Sequence, residues 1–260
     1  MRKGKPKLIV ILLAAIVLVV LLPLSVVLVN LSTTPLVTLP TPNAYDTLFE
    51  AGNMVSSLPE DYVDTSDQDE LESCVATNAA ALKLVEQAMG QQYVVPIDYE
   101  AGMQAVLDGT GPIRQAMRLL HVNARVAELE GDNAREAILY VKLFSLSSKS
   151  ATGGLLVHAM AASAYERVAL NRLKEIAGVL TAPQKSEVSA LLTSVNRLPT
   201  DIDRVLERER VLFMKEHGTL SGSWMILLTR RNPQPAIQQY AERDTEIVEL
   251  NQQVLDLLRQ

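Results

Sequence analysis

The sequence holds a single cysteine, Cys74, and only three histidines, His121, His158 and His217, so chemistry that needs clusters of either residue is cut back at once. One thiol cannot close an intramolecular disulfide or furnish a four-cysteine zinc site. No histidine has a second histidine or cysteine at metal-ligand spacing. The chain also lacks a Gly-x-Ser-x-Gly elbow, a phosphate loop ending in Gly-Lys-Ser/Thr and the glycine pattern of a dinucleotide site. These absences lead to the expectation of no catalytic, metal-ligating or cofactor-binding residues and no cofactor.

Charge is missing from one stretch in particular. Leu8 to Leu31 reads LIVILLAAIVLVVLLPLSVVLVNL without an acid or a base. A run of about 20 apolar residues is what a hydrocarbon core of about 30 Å demands. Arg2, Lys3, Lys5 and Lys7 precede the run and the first charge after it is Asp46. Basic flanks stay on the cytoplasmic side, so the expected order is a cytoplasmic flank (1–7), a transmembrane anchor (8–31) and a body outside the cytoplasm at an inner or plasma membrane. A cleaved signal peptide would have a shorter apolar middle and a small-x-small exit. The exit here is Val27-Leu28-Val29-Asn30-Leu31, which favours the anchor.

The formal charge is −6, and without the four N-terminal bases the remainder carries −10. Such a body repels polynucleotides, so nucleic acid is not an expected partner. The stretch 32–43, STTPLVTLPTPN, has three prolines and no charge and reads as a stiff stalk.

From residue 44 to 260 the pattern is mostly helical, with an irregular segment over Gly218–Pro235. Apolar residues recur at steps of three and four over Tyr45–Leu58, Leu71–Met89, Ile113–Glu130, Ala134–Lys149, Gly153–Leu180, Pro183–Leu198, Asp201–His217 and Pro235–Leu258. The predicted fold is all-α: one N-terminal transmembrane helix, then an antiparallel bundle or short α-solenoid of about 7–8 helices. The spacing predicts one unbroken helix over Leu71–Met89, with Gly109, Gly111 and Pro112 breaking the chain before the next long one. Glu60 to Glu70, EDYVDTSDQDE, is too acidic for burial. Tyr93–Ile97 is strand-like but Pro96 makes it an extended connector. Trp224–Leu228 reads as a plug beneath a loop or as an exposed docking patch.

The hairpin Ala127–Tyr140, AELEGDNAREAILY, resembles the middle of a tetratricopeptide repeat, where a glycine and an acidic turn join two helices locked by an alanine and an aromatic. It has one residue too many between Gly131 and Ala137, no closing proline and no second copy near a 34-residue period. More broadly, Asn43-Ala44-Tyr45-Asp46, the run Val75–Leu82, Val95-Pro96-Ile97-Asp98 and Gly153-Gly154-Leu155-Leu156-Val157 resemble a bacterial family with one N-terminal span and a helical exterior domain. That resemblance implies the architecture and carries no site residues.

Single features yield little chemistry. His158, on a helix of small residues, reads as a hydrogen-bonded packing residue. Gly109-Thr110-Gly111 reads as a turn, or as an anion-holding helix start. Asp203 and Glu207 share a helical face but run beside Arg204 and Arg208, the pattern of a solvated surface; Glu207 and Glu209 face apart. Cys74 lacks a basic neighbour and reads as inert.

One feature resists dismissal. Arg114, Arg118, His121 and Arg125 step by four, three and four along an otherwise apolar helix and project in one sector. The stripe either pairs with carboxylates of a neighbouring helix, such as Glu136 or Glu166, or lines a groove that grips an acidic segment of a protein partner with arginine forks. The favoured function is a tethered scaffold or protein-interaction module with the bilayer and such a partner as its contacts. The alternatives are an enzyme whose residues converge from distant helices, and a structural envelope component self-associating through Gly153–Ala164.

Overall fold

The computed structural model describes residues 37–197, 200–217 and 234–260. The expected anchor, residues 32–36 of the stalk and Trp224–Leu228 lie outside them. Among the described residues the chain is all-α, with nine helices, no strand and no helix long and apolar enough to cross a membrane. The helices are α1 (Ala44–Met54), α2 (Gln68–Thr77), α3 (Ala79–Met89), α4 (Gly102–Leu129), α5 (Asn133–Ser150), α6 (Leu156–Ile176), α7 (Ala182–Ser194), α8 (Ile202–His217) and α9 (Gln234–Arg259).

Helix α1 starts where the stalk was expected to end. Asn43 is buried, and its side-chain oxygen accepts from the Tyr45 N–H at 3.2 Å, as an N-cap residue should. The same oxygen accepts from the Val94 N–H at 3.1 Å while its amide donates to the Val94 carbonyl at 2.8 Å. One side chain thus starts a helix and ties it to the Tyr93–Ile97 connector, which forms no strand.

The unbroken helix expected over Leu71–Met89 is two. Asn78 separates α2 from α3, its amide donating to the Cys74 carbonyl at 2.9 Å and its oxygen accepting from the Ser56 N–H at 2.8 Å. Asparagine competes with the backbone for hydrogen bonds, and here the competing bond reaches the loop after α1. The two helices bury different clusters: Leu71 and Cys74 pack with Tyr62, Val122 and Val126, whereas Val85 and Ala88 join the main core.

The expected break at Gly109–Pro112 is absent: Pro112 lies inside α4, which begins ten residues earlier at Gly102. An interior proline costs roughly 3 kcal/mol, and tertiary contact offsets it. Val106 packs with Tyr99, Leu155, Val211 and Leu212 beneath α8, and the α1 backbone at Gly52 sits on Pro112 so closely that a Cβ there would overlap its carbonyl.

The α4–α5 hairpin falls where the sequence places it. Gly131, at φ 74°, turns the chain, with N–H bonds from Gly131 to Glu128 (3.0 Å) and from Asp132 to Ala127 (2.9 Å) closing the first helix. Asp132 then caps the second by accepting from the Arg135 N–H at 3.1 Å. Helices α4, α5 and α6 form the centre, where Met117, Leu120, Leu143, Phe144, Leu170 and Leu173 are almost wholly buried. On one side α1 and α3 cover α4; on the other α9 packs across α6 and α7 through Ile247 and Val254.

Candidate functional site

The arginine stripe does not behave as one surface. Its C-terminal half is roofed by the segment between α1 and α2, because Tyr62 is buried despite its acidic neighbours, contrary to the expectation for 60–70. The tyrosine hydroxyl lies 3.1 Å from His121 Nδ1, and the two rings meet edge to face at 5.1 Å. His121 is therefore a core residue, wedged between Tyr62 and Tyr140, rather than part of an exposed face. Arg125 is tied down as well: it pairs with Glu128 and donates to the Thr65 carbonyl at 3.2 Å.

The N-terminal half stays accessible. Arg118, half-buried, stacks over the Tyr62 ring at 5.4 Å from its centroid, a cation–π contact. Arg114 is exposed, and its carbonyl accepts from the Tyr165 hydroxyl of α6 at 3.3 Å. Among the described residues no carboxylate pairs with Arg114 or Arg118. Two guanidiniums one helical turn apart, with Tyr62 on one side and Tyr165 on the other, form a small cationic aromatic patch on an acidic body.

The carboxylates expected to neutralise the stripe serve other arginines. Glu136 on α5, fully buried, accepts from Arg172 on α6 at 2.5 Å, and Arg172 also bridges Glu128 at 2.7 Å and Glu175 at 2.9 Å. Glu166 on α6 accepts from Nε and Nη2 along one edge of Arg197, at 2.9 and 3.2 Å, and the same Nη2 reaches Asp244 on α9 at 2.5 Å. Burial pushes both carboxyls above the ordinary range, and the facing arginines hold them part of the way down. These buried links join α5 to α6 and α6 to α9. No linear signal identified their partners.

His158 is the packing residue the sequence suggests. Its Nδ1 accepts from the Leu155 N–H at 3.1 Å, performing for α6 the reach-back that Glu or Gln performs in a capping box. Glu209 on α8 caps the same helix end by accepting from the Leu156 N–H at 2.9 Å, a role its sequence neighbours concealed. Arg204 pairs with the exposed Asp201 at 3.2 Å, as a solvated surface would. Gly109-Thr110-Gly111 lies in mid-helix, so neither the turn nor the anion-holding helix start exists. Cys74 is buried, and burial pushes its thiol up, away from the reactive thiolate. Among the described residues no three metal-ligating side chains converge. A cleft of about 590 Å³ lies between α7 and the end of α9, and its lining includes no Asp, Glu, His or Cys.

The two buried histidines predict an acid weakness. Burial lowers both to about 4, with Arg125 adding to the effect at His121, against about 6.5 in an unfolded chain. Between those values the unfolded state takes up a proton that the folded state refuses. Their contribution is therefore complete above about pH 6.5 and lost as pH falls toward 4, by on the order of 3 kcal/mol per histidine. The raised Glu136 and Glu166 act in the opposite direction. A difference measurement isolates the imidazole: His121→Gln should show a shallower loss of urea stability between pH 6.5 and 4 than the parent, and parallel curves would contradict the assignment.

No family model, curated protein or solved structure matches this chain. Its site is therefore read from geometry alone.

Proposed function

We propose that this chain is a membrane-tethered helical interaction module that grips an acidic segment of a protein partner between Arg114 and Arg118. The observation that carries the reading is the division of the arginines. Arg125, Arg172 and Arg197 are all held by carboxylates inside the fold, whereas the exposed Arg114 and the half-buried Arg118 have no carboxylate partner among the described residues. Guanidinium forks one turn apart suit successive carboxylates of a peptide, each taken by two hydrogen bonds. The flanking tyrosines supply apolar contact beside each charge, the composition that binding hot spots favour. The uncharged run 8–31 and the basic residues before it support a tether with the body outside the cytoplasm.

Two experiments test the two halves. Arg114→Glu with Arg118→Glu should abolish recovery of crosslinked partners from native membranes, an affinity loss of roughly 100-fold or more, because each charged hydrogen bond is worth about 1.5–3 kcal/mol. The melting temperature should fall only modestly, since Arg114 is exposed and Arg118 gives up one cation–π contact with Tyr62, worth about 1 kcal/mol. Undiminished crosslinking by a folded double variant would refute the clamp. A reporter active only outside the cytoplasm, inserted after residue 43, should be active; a silent reporter would refute the tether's orientation.

A further inference from the structure

Beneath Arg114 the surface opens into a narrow pit between α4, α6 and the connector after α3. Arg114 and Tyr165 stand at its mouth; Tyr93, His158, Thr110 and Ser150 line its buried end. Its free volume is about 20 Å³, enough for one oxygen-sized atom, since a site of roughly 10–15 Å³ already admits a water.

The hydrogen atoms available in the pit decide what that atom is. Ser150 donates its hydroxyl hydrogen to the Ser147 carbonyl at 2.7 Å, and Thr110 donates to the Leu107 carbonyl at 2.7 Å. Tyr165 donates to the Arg114 carbonyl. Two donors are left. The Tyr93 hydroxyl is buried and meets no partner among the described residues. His158 already receives the Leu155 N–H on Nδ1, so the proton of its neutral ring sits on Nε2. A buried donor without an acceptor is costly, so the Tyr93 hydroxyl and the His158 Nε2–H favour an acceptor atom at this end of the pit.

We infer that this pit receives one carboxylate oxygen of an aspartate or glutamate side chain from the bound acidic segment. The Tyr93 hydroxyl and the His158 Nε2–H donate to that oxygen, and Arg114 holds the second oxygen at the mouth. The inference rests on the clamp reading above and gives it an anchor point. A planar carboxylate fits because it can lower a single oxygen into the pit; a phosphate would leave its further oxygens facing the apolar walls of Ile113 and Met117. A cation is repelled by Arg114.

The test uses poly-L-glutamate as probe and the full chain in lipid nanodiscs, with only three histidines to resolve by NMR. Poly-L-glutamate should shift the His158 ring resonance and leave that of His121 in place. Tyr93→Phe, which removes one donor and keeps the ring, should weaken binding roughly tenfold, the effect of one hydrogen bond to a charged acceptor. If Arg114→Glu with Arg118→Glu abolishes binding while Tyr93→Phe binds like the parent and His158 does not respond, the pit is refuted and the clamp stands. If poly-L-glutamate binds the double arginine variant as it binds the parent, the clamp is refuted and the pit with it.

Discussion

Replacing Arg197 with methionine should cost about 3–5 kcal/mol of folding free energy, because it strands a buried carboxylate. Glu166 sits on the inner face of α6, only 2% exposed, and Arg197 is its only ionic partner among the described residues. The same guanidinium holds Asp244, so its loss also loosens α9 from α6. Part of the cost disappears if the stranded charge is neutralised. Glu166→Gln added to Arg197→Met should recover stability relative to the single variant, since a neutral amide in that position pays a smaller desolvation penalty. The pH dependence has a definite sign. Burial already raises Glu166 above the ordinary range, and removing Arg197 removes what holds it down, so the folded variant takes up a proton before the unfolded chain does. Its deficit against the parent should therefore shrink as pH falls from 7 toward 5 in urea titrations. A deficit under about 1 kcal/mol at pH 7 would show that the pair behaves as a solvated surface bridge.

Gly52→Ala is the second large effect, and its sign is opposite to helix propensity. Alanine in place of glycine inside a helix normally gains about 1 kcal/mol. At Gly52 the new Cβ would overlap the Pro112 carbonyl, carbon and Cα, all backbone atoms that no rotamer change can move. Helix α1 would have to lift from α4, opening the contacts of Leu48 and Ala51, both fully buried. A loss of about 3 kcal/mol is expected, at the upper end for an overpacked site. Gly178→Ala supplies the contrast: nothing lies within 4 Å of the added carbon. There, a gain of up to about 1 kcal/mol is expected, from reduced freedom of the unfolded chain. Equal melting temperatures for the two alanine variants would contradict the close α1–α4 crossing.

How much was legible beforehand depended on the range of the interaction. The α4–α5 hairpin could be placed to within a residue or two because its determinants, Gly131 and Asp132, act on neighbours three to five positions away. The cap at Thr181, whose N–H reaches Gln184 Oε1 at 2.8 Å, is equally local. Asn78 and Pro112 were misread for one reason: each is governed by a contact distant in the chain. Asn78 answers to Ser56, and Pro112 is accepted mid-helix because Gly52 lets another backbone rest on it. The stripe on α4 was partly legible. Its spacing set four polar side chains along α4, but that spacing could not show that Tyr62 would arrive from 59 positions away and bury one of them.

Composition and periodicity alone determined that the body is all-α and acidic, because helix formation and net charge depend on residues close together or simply counted. Which charges face inward was a tertiary decision. Desolvation, pairing and burial depend on what the rest of the chain places opposite a side chain, and so Arg172 and Arg197 became internal struts while Arg114 and Arg118, identical in kind, have no carboxylate opposite them among the described residues.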